Sequence, residues 1–206
     1  PISKVKATEG YGANVVLHGE DYDEAAARAH EIERQEGRVY VHAFDDPEIM
    51  AGQGTIGLEI VEDCPDVETV VVPIGGGGLI SGIATAVEAK TDARVVGVQA
   101  EGASSVVPSL EKGRRVELDR VDTIAPRSVG ERTFEVIRER VDEVVTVPDE
   151  AIASALVAAL ERSKALVEGA GAVSLAAVLE RAFDYEDDEV IVVALCGGNI
   201  DLNVLS

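Results

Sequence analysis

The apolar residues of this chain form two kinds of pattern, short continuous runs and repeats at helical spacing. In residues 69–100, the apolar run of residues 70–74 breaks into successive glycines, and a second apolar run follows at residues 95–98. The four glycines are Gly75, Gly76, Gly77 and Gly78. After them, apolar residues recur at helical spacing at Leu79, Ile83 and Val87. This stretch therefore predicts a strand, a glycine turn, a crossover helix and a second, parallel strand.

The rest of the chain continues the alternation of helices and strands. Helical patterns occur at residues 21–36, 45–59, 133–138, 149–164 and 173–183. Strand-like runs occur at residues 14–17, 39–44, 141–147 and 190–195. Residues 101–128 are irregular and predict a long functional loop with a short helix. Alternating strands and helices are typical of α/β proteins, so we expect an open, mostly parallel sheet.

The glycine turn predicts a phosphate site. Glycine has no Cβ atom, so its backbone can adopt positive φ and its N–H groups can approach a ligand closely. The turn also leads into a helix N-terminus, where unpaired N–H donors and the positive end of the helix dipole favour an anion. A purely structural tight turn is the alternative interpretation.

The glycine turn differs from two common nucleotide motifs. A dinucleotide fingerprint needs glycines at i, i+2 and i+5, but the last position here is Ile80 or Ser81, depending on the register. The Walker motif is excluded because no Gly-Lys-Ser/Thr follows. Glu101 follows the second strand at the place of a ribose-binding acid, so a nicotinamide ligand stays open as an alternative.

A second glycine turn follows the last predicted strand. It reads Cys196-Gly197-Gly198-Asn199. A stretch of small residues, 168–172, also leads into the helix predicted at residues 173–183. In open α/β sheets, ligands bind at the carboxyl ends of the strands. We therefore expect residues 196–199 to lie at the ligand-binding edge of the sheet.

Two mid-helix glycines have two possible explanations. Gly52 and Gly54 interrupt the helical pattern of residues 45–59. A glycine inside a helix costs about 1 kcal/mol relative to alanine, so the pair implies either close packing or a nearby ligand. The first turn of this helix contains Pro47, with Asp45 or Asp46 as its cap.

The histidines and one amphipathic helix have structural interpretations. His18, His30 and His42 are scattered and none lies beside a plausible nucleophile in the sequence, so we interpret them as surface or packing residues. In the helix at residues 149–164, four residues are expected to face inward: Ile152, Leu156, Ala159 and Leu160.

The chain is strongly acidic. Asp and Glu number 39 against 18 Lys and Arg, which gives a formal net charge of −21 spread along the 206 residues. Nucleic acids and anionic membrane surfaces are not expected as partners, because binding them relies on clustered cations. One hypothesis is a salt-loving source, where screening over a few ångströms reduces self-repulsion. An acidic mesophilic enzyme is the alternative.

The composition also bears on the compartment. No apolar run approaches the ~20 residues that cross a bilayer, and the N-terminus lacks the apolar core of a signal peptide. Cys64 and Cys196 are far apart in the sequence and have no histidine cluster nearby, so neither a disulfide framework nor a structural zinc site is indicated. The cytoplasm is the expected compartment. Pro1 in place of Met suggests that the numbering starts inside a longer chain.

Five stretches carry a family resemblance. They are residues 8–19 (TEGYGANVVLHG), 41–60 (VHAFDDPEIMAGQGTIGLEI), 70–84 (VVVPIGGGGLISGIA), 161–179 (ERSKALVEGAGAVSLAAVL) and 192–201 (VVALCGGNID). In this order they resemble the pyridoxal-phosphate enzymes of the tryptophan-synthase-β fold type. The resemblance is greatest to the threonine and serine dehydratases with their serine-racemase relatives, and it covers essentially the whole chain.

The resemblance implies a fold and an activity. The fold would be a three-layer α/β structure with helices on both faces of the sheet, incomplete at the N-terminus. Residues 1–44 would complete a small cofactor-covering domain, and residues 45–206 would form the large cofactor-binding domain. The implied enzyme eliminates water from threonine or serine to give a 2-oxo acid and ammonia, as in isoleucine biosynthesis. It would act as a homo-oligomer, a dimer or a tetramer.

The resemblance also implies the roles of seven residues. The backbone N–H groups of the glycine turn and of Leu79 would hold the cofactor phosphate. Glu168 matches a glutamate that approaches the edge of the pyridine ring. Cys196 stands where the family usually has a serine, beside the pyridine nitrogen. A thiol there would leave that nitrogen largely unprotonated, which suits β-elimination.

The sequence departs from the family in three places. The Schiff-base lysine and the loop that binds the substrate carboxylate are expected upstream, so no catalytic lysine is assigned here; Lys164 matches a surface lysine instead. The turn at Thr123, Ile124 and Ala125 is shorter than in the family, and we therefore assign no metal site. Gly169 and Ala170 replace the usual Pro-Ala.

Two alternatives to the dehydratase remain. One is an enzyme like serine racemase. The other is a catalytically inactive module that binds a phosphate-containing ligand, either a nicotinamide dinucleotide or pyridoxal phosphate, since this chain carries no assigned Schiff-base lysine.

The net charge of −21 predicts a dependence of stability on salt. We expect the melting temperature to rise from dilute buffer to molar KCl, because salt screens repulsion between the carboxylates. A neutral protein melted in the same series corrects for general salt effects. A midpoint that does not move relative to this control would contradict the hypothesis of a salt-loving source.

Overall fold

The computed structural model describes residues 2–119, 121 and 126–199. The α-helices are α1 (Ile2–Gly10), α2 (Tyr22–Glu36), α3 (Pro47–Asp63), α4 (Gly78–Glu88), α5 (Val106–Lys112), α6 (Glu131–Arg140), α7 (Asp149–Ala158) and α8 (Gly169–Leu179). The strands are β1 (Thr69–Pro73), β2 (Arg94–Ala100), β3 (Glu143–Val147) and β4 (Ile191–Val193). The strand, helix and strand predicted around the glycine turn are confirmed as β1, α4 and β2.

The four strands form one sheet in the order β3-β2-β1-β4, and every pair of neighbours is parallel. Val71 of β1 lies level with Val96 of β2 on one side and Val193 of β4 on the other. Because β1 is central, both of its edges are hydrogen-bonded. The carboxyl ends of β1 and β4 therefore lie at the same edge of the sheet.

Helices cover both faces of the sheet. Successive residues of a strand point to opposite faces. Val71 and Val96 pack into a core with residues of α7 and α8. Val70 and Val95 pack into a second core with residues of α4 and α6. All four valines are at most 2% exposed. The two cores confirm the predicted three-layer α/β architecture.

Both ends of α2 and the start of α3 are formed by capping residues of the kind that the sequence indicates. The Asp21 carboxylate accepts a hydrogen bond from the N–H of Glu24 at the start of α2, and Gly37 ends that helix with a φ of 65°. Asp46 caps α3, and Pro47 occupies its first turn. Of the two aspartates considered for this cap, Asp46 is therefore the one that fills it.

Two predicted strands are wrong. Residues 14–17 and 39–44 have no strand structure. Both segments flank a groove of about 420 Å³ beside α2. Among the described residues neither segment has a strand to pair with, and an isolated pair of strands is marginal in water. Val39 is accordingly 88% exposed and Leu17 is 76% exposed.

Three of the four residues expected to face inward from the helix at residues 149–164 do so: Ile152 and Ala159 are buried, and Leu156 packs against the same core. After α7 the chain continues as a π-helical turn, Ala159–Ser163, which ends at Lys164. The wider turn rotates Leu160 outward, so this residue is 48% exposed while Ala159 is buried. The irregular region after β2 contains α5, which confirms the predicted short helix.

Glycines allow α3 and α4 to pack very closely. A Cβ atom on Gly82 would lie 2.3 Å from the Met50 carbonyl oxygen and 2.5 Å from the Gly54 nitrogen. A Cβ atom on Gly52 would meet nothing within 4 Å. Of the two explanations for the mid-helix glycines, close packing therefore applies to Gly54, whereas no contact explains Gly52.

Two further findings concern the length of the helices and the state of the cysteines. Among the described residues, none of the helices combines the length and the apolar character that crossing a membrane requires. Cys64 and Cys196 are both free thiols.

The contact between α3 and α4 yields a paired prediction. Gly82→Ala should lower the free energy of unfolding by about 1–3 kcal/mol, because its methyl group would overlap backbone atoms that cannot move independently. Gly52→Ala is the matched control and should raise it by roughly 0.5–1 kcal/mol through helix propensity. Urea denaturation measures both. Equal effects of the two substitutions would show that the packing argument is wrong.

Candidate functional site

Two glycine turns meet at the carboxyl edge of the sheet. Gly75 follows β1, and Cys196 follows the neighbouring strand β4. The Ala194 N–H donates to the Val71 carbonyl (2.9 Å), which keeps the chain after β4 aligned with β1. The structure thus places the two turns side by side, as the sequence predicts.

The first turn presents unused hydrogen-bond donors. Within the described residues, no backbone N–H group of residues 75–80 donates a hydrogen bond. The first N–H of this region with a partner belongs to Ser81, which donates to the Gly77 carbonyl (3.0 Å). Gly77, Gly78 and Ile80 are buried. Unpaired N–H groups at a buried helix start indicate a ligand, and an anion suits them best.

The four glycines are needed for different reasons. Only Gly77 has positive φ, at +94°. Gly76 and Gly78 instead make room for Phe44, since a Cβ atom on Gly76 would lie 2.3 Å from the Phe44 ring and one on Gly78 would lie 3.0 Å from the Phe44 backbone. Gly75 faces open space. The left-handed conformation expected of the glycine turn is thus confined to one position.

The second turn packs against the start of α8. The Glu168 N–H donates to the Gly197 carbonyl (2.7 Å). Gly197 has a φ of +76°, and a Cβ atom there would lie 2.7 Å from the Glu168 carboxylate. A Cβ atom on Gly171 would lie 1.5 Å from the Cys196 carbonyl oxygen. Glu168 and the second turn, which begins with Cys196, are therefore held together.

The charges around Cys196 keep its thiol protonated. Burial raises the pKa of the Cys196 thiol, and the Glu168 carboxylate raises this pKa further. Lys4 of α1 forms an ion pair with Glu168 (3.2 Å). Lys164 lies elsewhere: its Nζ donates to the Glu161 carbonyl at the surface (2.6 Å).

A cavity of about 240 Å³ lies between the end of β1 and the start of α8. Gly75 lines it from the end of β1, and Gly169 and Ala170 line it from the start of α8. The remaining wall is largely apolar and includes Val98 and Val173. Leu79 lies outside this wall, and its side chain packs against the core of α4 and α6. Only the backbone of Leu79 is therefore free to contact a ligand.

The sequence pattern does not reveal two residues that contact the first turn, or a third that holds one of them. Phe44 packs against Gly76 and Gly78. Thr133 donates through Oγ1 to the Gly76 carbonyl (2.8 Å), and Asp45 accepts from the Thr133 N–H (3.0 Å). From the sequence, Asp45 is expected only as a cap for α3, and Thr133 only as part of a helix.

The chain was compared with known proteins. The family model described as pyridoxal-phosphate dependent enzyme matches residues 1–197. The chain belongs to this family. Its curated relatives include the L-threonine ammonia-lyase of Geobacter sulfurreducens, 51% identical over 211 residues, which cover 100% of this chain and 52% of the relative. The catabolic L-threonine dehydratase of Escherichia coli is 43% identical over 212 residues, which cover 100% of this chain and 64% of the relative.

Solved structures of related enzymes are also similar to the structure of this chain. Processed threonine deaminase isoform 2 from Solanum lycopersicum superposes with a TM-score of 0.91 at 36% identity, covering 100% of this chain and 58% of that chain. Maize serine racemase superposes with a TM-score of 0.92 at 32% identity, covering 100% of this chain and 65% of that chain. The chain thus spans about half to two thirds of the length of these relatives.

The family match confirms pyridoxal phosphate as the cofactor, which favours it over the dinucleotide alternative. The residues present fit this group. The six N–H groups of residues 75–80, which have no partner in the described part of the chain, suit a phosphate dianion. Cys196 supplies an uncharged thiol at the second turn. Glu101 lies just after β2, where the sequence placed it, but the family match gives it no ribose to bind.

The prediction of no metal site is untested. Thr123, Ile124 and Ala125, which form the shortened turn, lie outside the described residues, as do Ile200 and Asp201. Within the described residues, no group of three or more His, Cys, Asp or Glu residues is arranged to hold a metal ion.

The contact between Glu168 and Cys196 predicts a change in thiol reactivity. In the cofactor-free protein with Cys64→Ser, Glu168→Gln should lower the pKa of Cys196 and speed its alkylation by iodoacetamide at mildly alkaline pH, by roughly two- to five-fold. The reason is that only the thiolate reacts, and the variant removes a neighbouring negative charge. Glu180→Gln, at the far end of α8, is the control. Slower or unchanged alkylation in Glu168→Gln would contradict the electrostatic account.

Proposed function

We propose that this chain is the C-terminal part of the catalytic unit of a pyridoxal-phosphate-dependent threonine or serine ammonia-lyase. The observation that carries the proposal is the pairing of two glycine turns at one sheet edge: the first presents N–H donors without a partner among the described residues, and the second begins with the Cys196 thiol, whose pKa is raised. Its relatives named threonine ammonia-lyase and threonine dehydratase support the substrate class. The product would be a 2-oxo acid and ammonia.

The first turn would bind the phosphate. The N–H groups of Gly75, Gly76, Gly77, Gly78 and Leu79 would donate to its oxygens, and the positive end of the α4 dipole would add to the attraction. These donors are backbone groups whose positions are fixed by β1 and α4. The phosphate would therefore fix the position of the whole cofactor relative to the sheet.

The second turn would set the electronic state of the cofactor ring. When bound, pyridoxal phosphate withdraws electrons from the α-carbon of the amino acid substrate. Cys196 Sγ holds its proton because of burial and of Glu168, so it would meet the pyridine nitrogen as a neutral group. A neutral partner there leaves the nitrogen without a positive charge and moderates the electron withdrawal, which suits β-elimination.

The catalytic lysine would come from another part of the protein. None of the five lysines of this chain is assigned as the Schiff-base lysine, and Lys164 Nζ donates to a surface carbonyl. We propose that residues 1–44 complete a small domain that covers the cofactor and that residues 45–206 form the large domain. The ion pairs Lys4–Glu168 and Arg127–Asp21 would join the two.

A racemase is the second candidate function. The observation in its favour is the similarity to the structure of maize serine racemase, whose TM-score equals that of threonine deaminase to within 0.01. Elimination and racemisation would begin with the same removal of the α-proton. The products therefore have to separate the two candidates.

Several finer proposals follow from the family. We propose a cytoplasmic enzyme that acts as a homo-oligomer, a dimer or tetramer, on a small amino acid, in amino-acid metabolism such as isoleucine biosynthesis. The acidic surface supports the further proposal of a salt-rich environment, and it disfavours nucleic acid and anionic membrane as partners.

The proposal is tested with two glycine substitutions in the full-length protein. Gly77→Ala should reduce the retention of pyridoxal phosphate roughly ten-fold or more, because Gly77 has positive φ and its new methyl group would lie 2.8 Å from Thr133. Gly113→Ala is the matched control, since Gly113 also has positive φ (+63°) but has open space around it and ends α5. The visible absorption band of the bound cofactor measures occupancy.

Product analysis completes the test. The wild-type protein should release ammonia and a 2-oxo acid from L-threonine or L-serine. Formation of D-serine without ammonia would favour the racemase, and an absent cofactor band would favour an inactive module. Equal cofactor retention in Gly77→Ala and Gly113→Ala would contradict the assignment of the phosphate to this turn.

A further inference from the structure

The carbonyl of Gly76 is held by two donors from one neighbouring segment. The Thr133 hydroxyl donates to it (2.8 Å), and so does the Gly130 N–H (3.2 Å). Thr133 is fully buried, and Gly76 is partly buried. Both donors lie at the start of α6, which packs against α4.

This carbonyl sets the direction of the next N–H group. The peptide bond between Gly76 and Gly77 is planar and trans, so its C=O and N–H point in opposite directions. Because the carbonyl points toward α6, the Gly77 N–H points away from α6. The hydrogen bond from Thr133 therefore orients one of the unpaired donors described above.

Thr133 also supports the left-handed conformation of Gly77. A Cβ atom on Gly77 would lie 2.8 Å from both Cβ and Oγ1 of Thr133 and 3.1 Å from Cδ1 of Ile137. The side chain of Thr133 thus packs directly against the Gly77 backbone. A shift of α6 would be transmitted to the turn through this contact.

Asp45 holds the start of α6 in place. Gly130 has the N-cap position of α6 but no side chain to cap it. The Asp45 carboxylate supplies the cap from a distant part of the chain, accepting from the Glu131 N–H (3.1 Å) and from the Thr133 N–H (3.0 Å). A Cβ atom on Gly130 would lie 2.3 Å from this carboxylate, so only glycine leaves room for it.

A histidine orients Asp45 in turn. His42 Nδ1 accepts from the N–H groups of Phe44 (3.1 Å) and Asp45 (2.8 Å). The side chain of Phe44 then packs on Gly76, on the side of the turn where a Cβ atom would otherwise stand. Residues 42–45 and the start of α6 thus both contact the turn.

We propose that Thr133 and Asp45 are positioning residues for the phosphate-binding turn, with Thr133 orienting the peptide between Gly76 and Gly77 and Asp45 holding Thr133. Neither side chain would touch the cofactor. Their effect would be selective for the phosphate, since they act only through the turn. The inference rests on the proposed function, because it presumes that the turn binds the phosphate of pyridoxal phosphate.

The test compares two ligands that differ by the phosphate. In the full-length protein, Thr133→Val should raise the Kd for pyridoxal phosphate roughly 3- to 30-fold, because it removes a buried hydrogen bond that orients the turn. The Kd for pyridoxal, which lacks the phosphate, should stay at the wild-type value. Thr133→Ser keeps the hydroxyl and should restore wild-type binding. Equilibrium dialysis measures both constants.

A matched control separates positioning from general damage. Thr69 is also a fully buried threonine whose hydroxyl is hydrogen-bonded, but it begins β1 at the opposite edge of the sheet. Thr69→Val should lower the melting temperature and leave the ratio of the two Kd values unchanged. If Thr133→Val does not fold, Thr133→Ala deletes the same hydroxyl without placing a methyl group beside Gly77.

A double-mutant comparison tests the link to Asp45. Asp45→Asn leaves one acceptor for two N–H groups and should raise the Kd for pyridoxal phosphate by a smaller factor than Thr133→Val. In the double variant the two effects should combine to less than their product, because both act on the same peptide. Fully multiplicative effects would overturn the role of Asp45.

The outcomes distinguish failure of the proposed function from failure of the positioning role of Thr133 and Asp45. A wild-type protein that binds no pyridoxal phosphate overturns the proposed function, and the positioning proposal fails with it. A wild-type protein that binds the cofactor, with an unchanged ratio of Kd values in Thr133→Val and Thr133→Ala, overturns the positioning proposal alone. Equal losses for pyridoxal and pyridoxal phosphate would also overturn it.

Discussion

The candidate site depends on the parallel pairing of β1 with β4. These strands are separated by more than a hundred residues of sequence, yet Thr69 pairs with Ile191 and Val71 pairs with Val193. A slip by one residue would turn the side chains of β4 to the opposite face and shift Cys196 along the strand direction relative to the first turn. The buried valines of β1, which contact both cores, oppose such a slip because each face accepts only one register. The proximity of the two glycine turns is thus a consequence of core packing.

The parts of the structure that sequence predicts are those whose signals are local. The strand, glycine turn and helix of residues 69–88 contain their own apolar pattern and their own turn residues, and the N–H donors of the turn are consecutive. Residues 14–17 and 39–44 have strand-like composition, but a strand exists only where another strand pairs with it, and the sequence does not state that partner. These two strands were predicted wrongly because the sequence does not show whether a pairing strand is present.

The missed site residues have the same explanation. Asp45 and Thr133 are 88 residues apart, and Thr133 and Gly76 are 57 residues apart. Asp45 and Asp46 are chemically equal as helix caps, and only the position of α6 decides that Asp46 caps its own helix while Asp45 caps another. Likewise, a run of four glycines does not reveal which one has positive φ. Gly77 is required because the chain adopts positive φ where it turns into α4. Gly76 and Gly78 are required because a Cβ atom there would overlap Phe44.

The acidity of the chain and the chemistry of its first turn are compatible for a physical reason. A protein of net charge −21 repels a phosphate dianion at long range, and salt reduces that repulsion over a Debye length of about 10 Å at 0.1 M. A site built from Lys or Arg would lose attraction in the same salt, because its ion pairs would be screened as well. The donors at residues 75–80 are neutral backbone groups that act at hydrogen-bond distance, partly in buried surroundings. Their attraction is much less sensitive to screening than that of exposed charges. A turn of this kind therefore keeps its affinity for phosphate at high salt, where repulsion within an acidic surface is best screened.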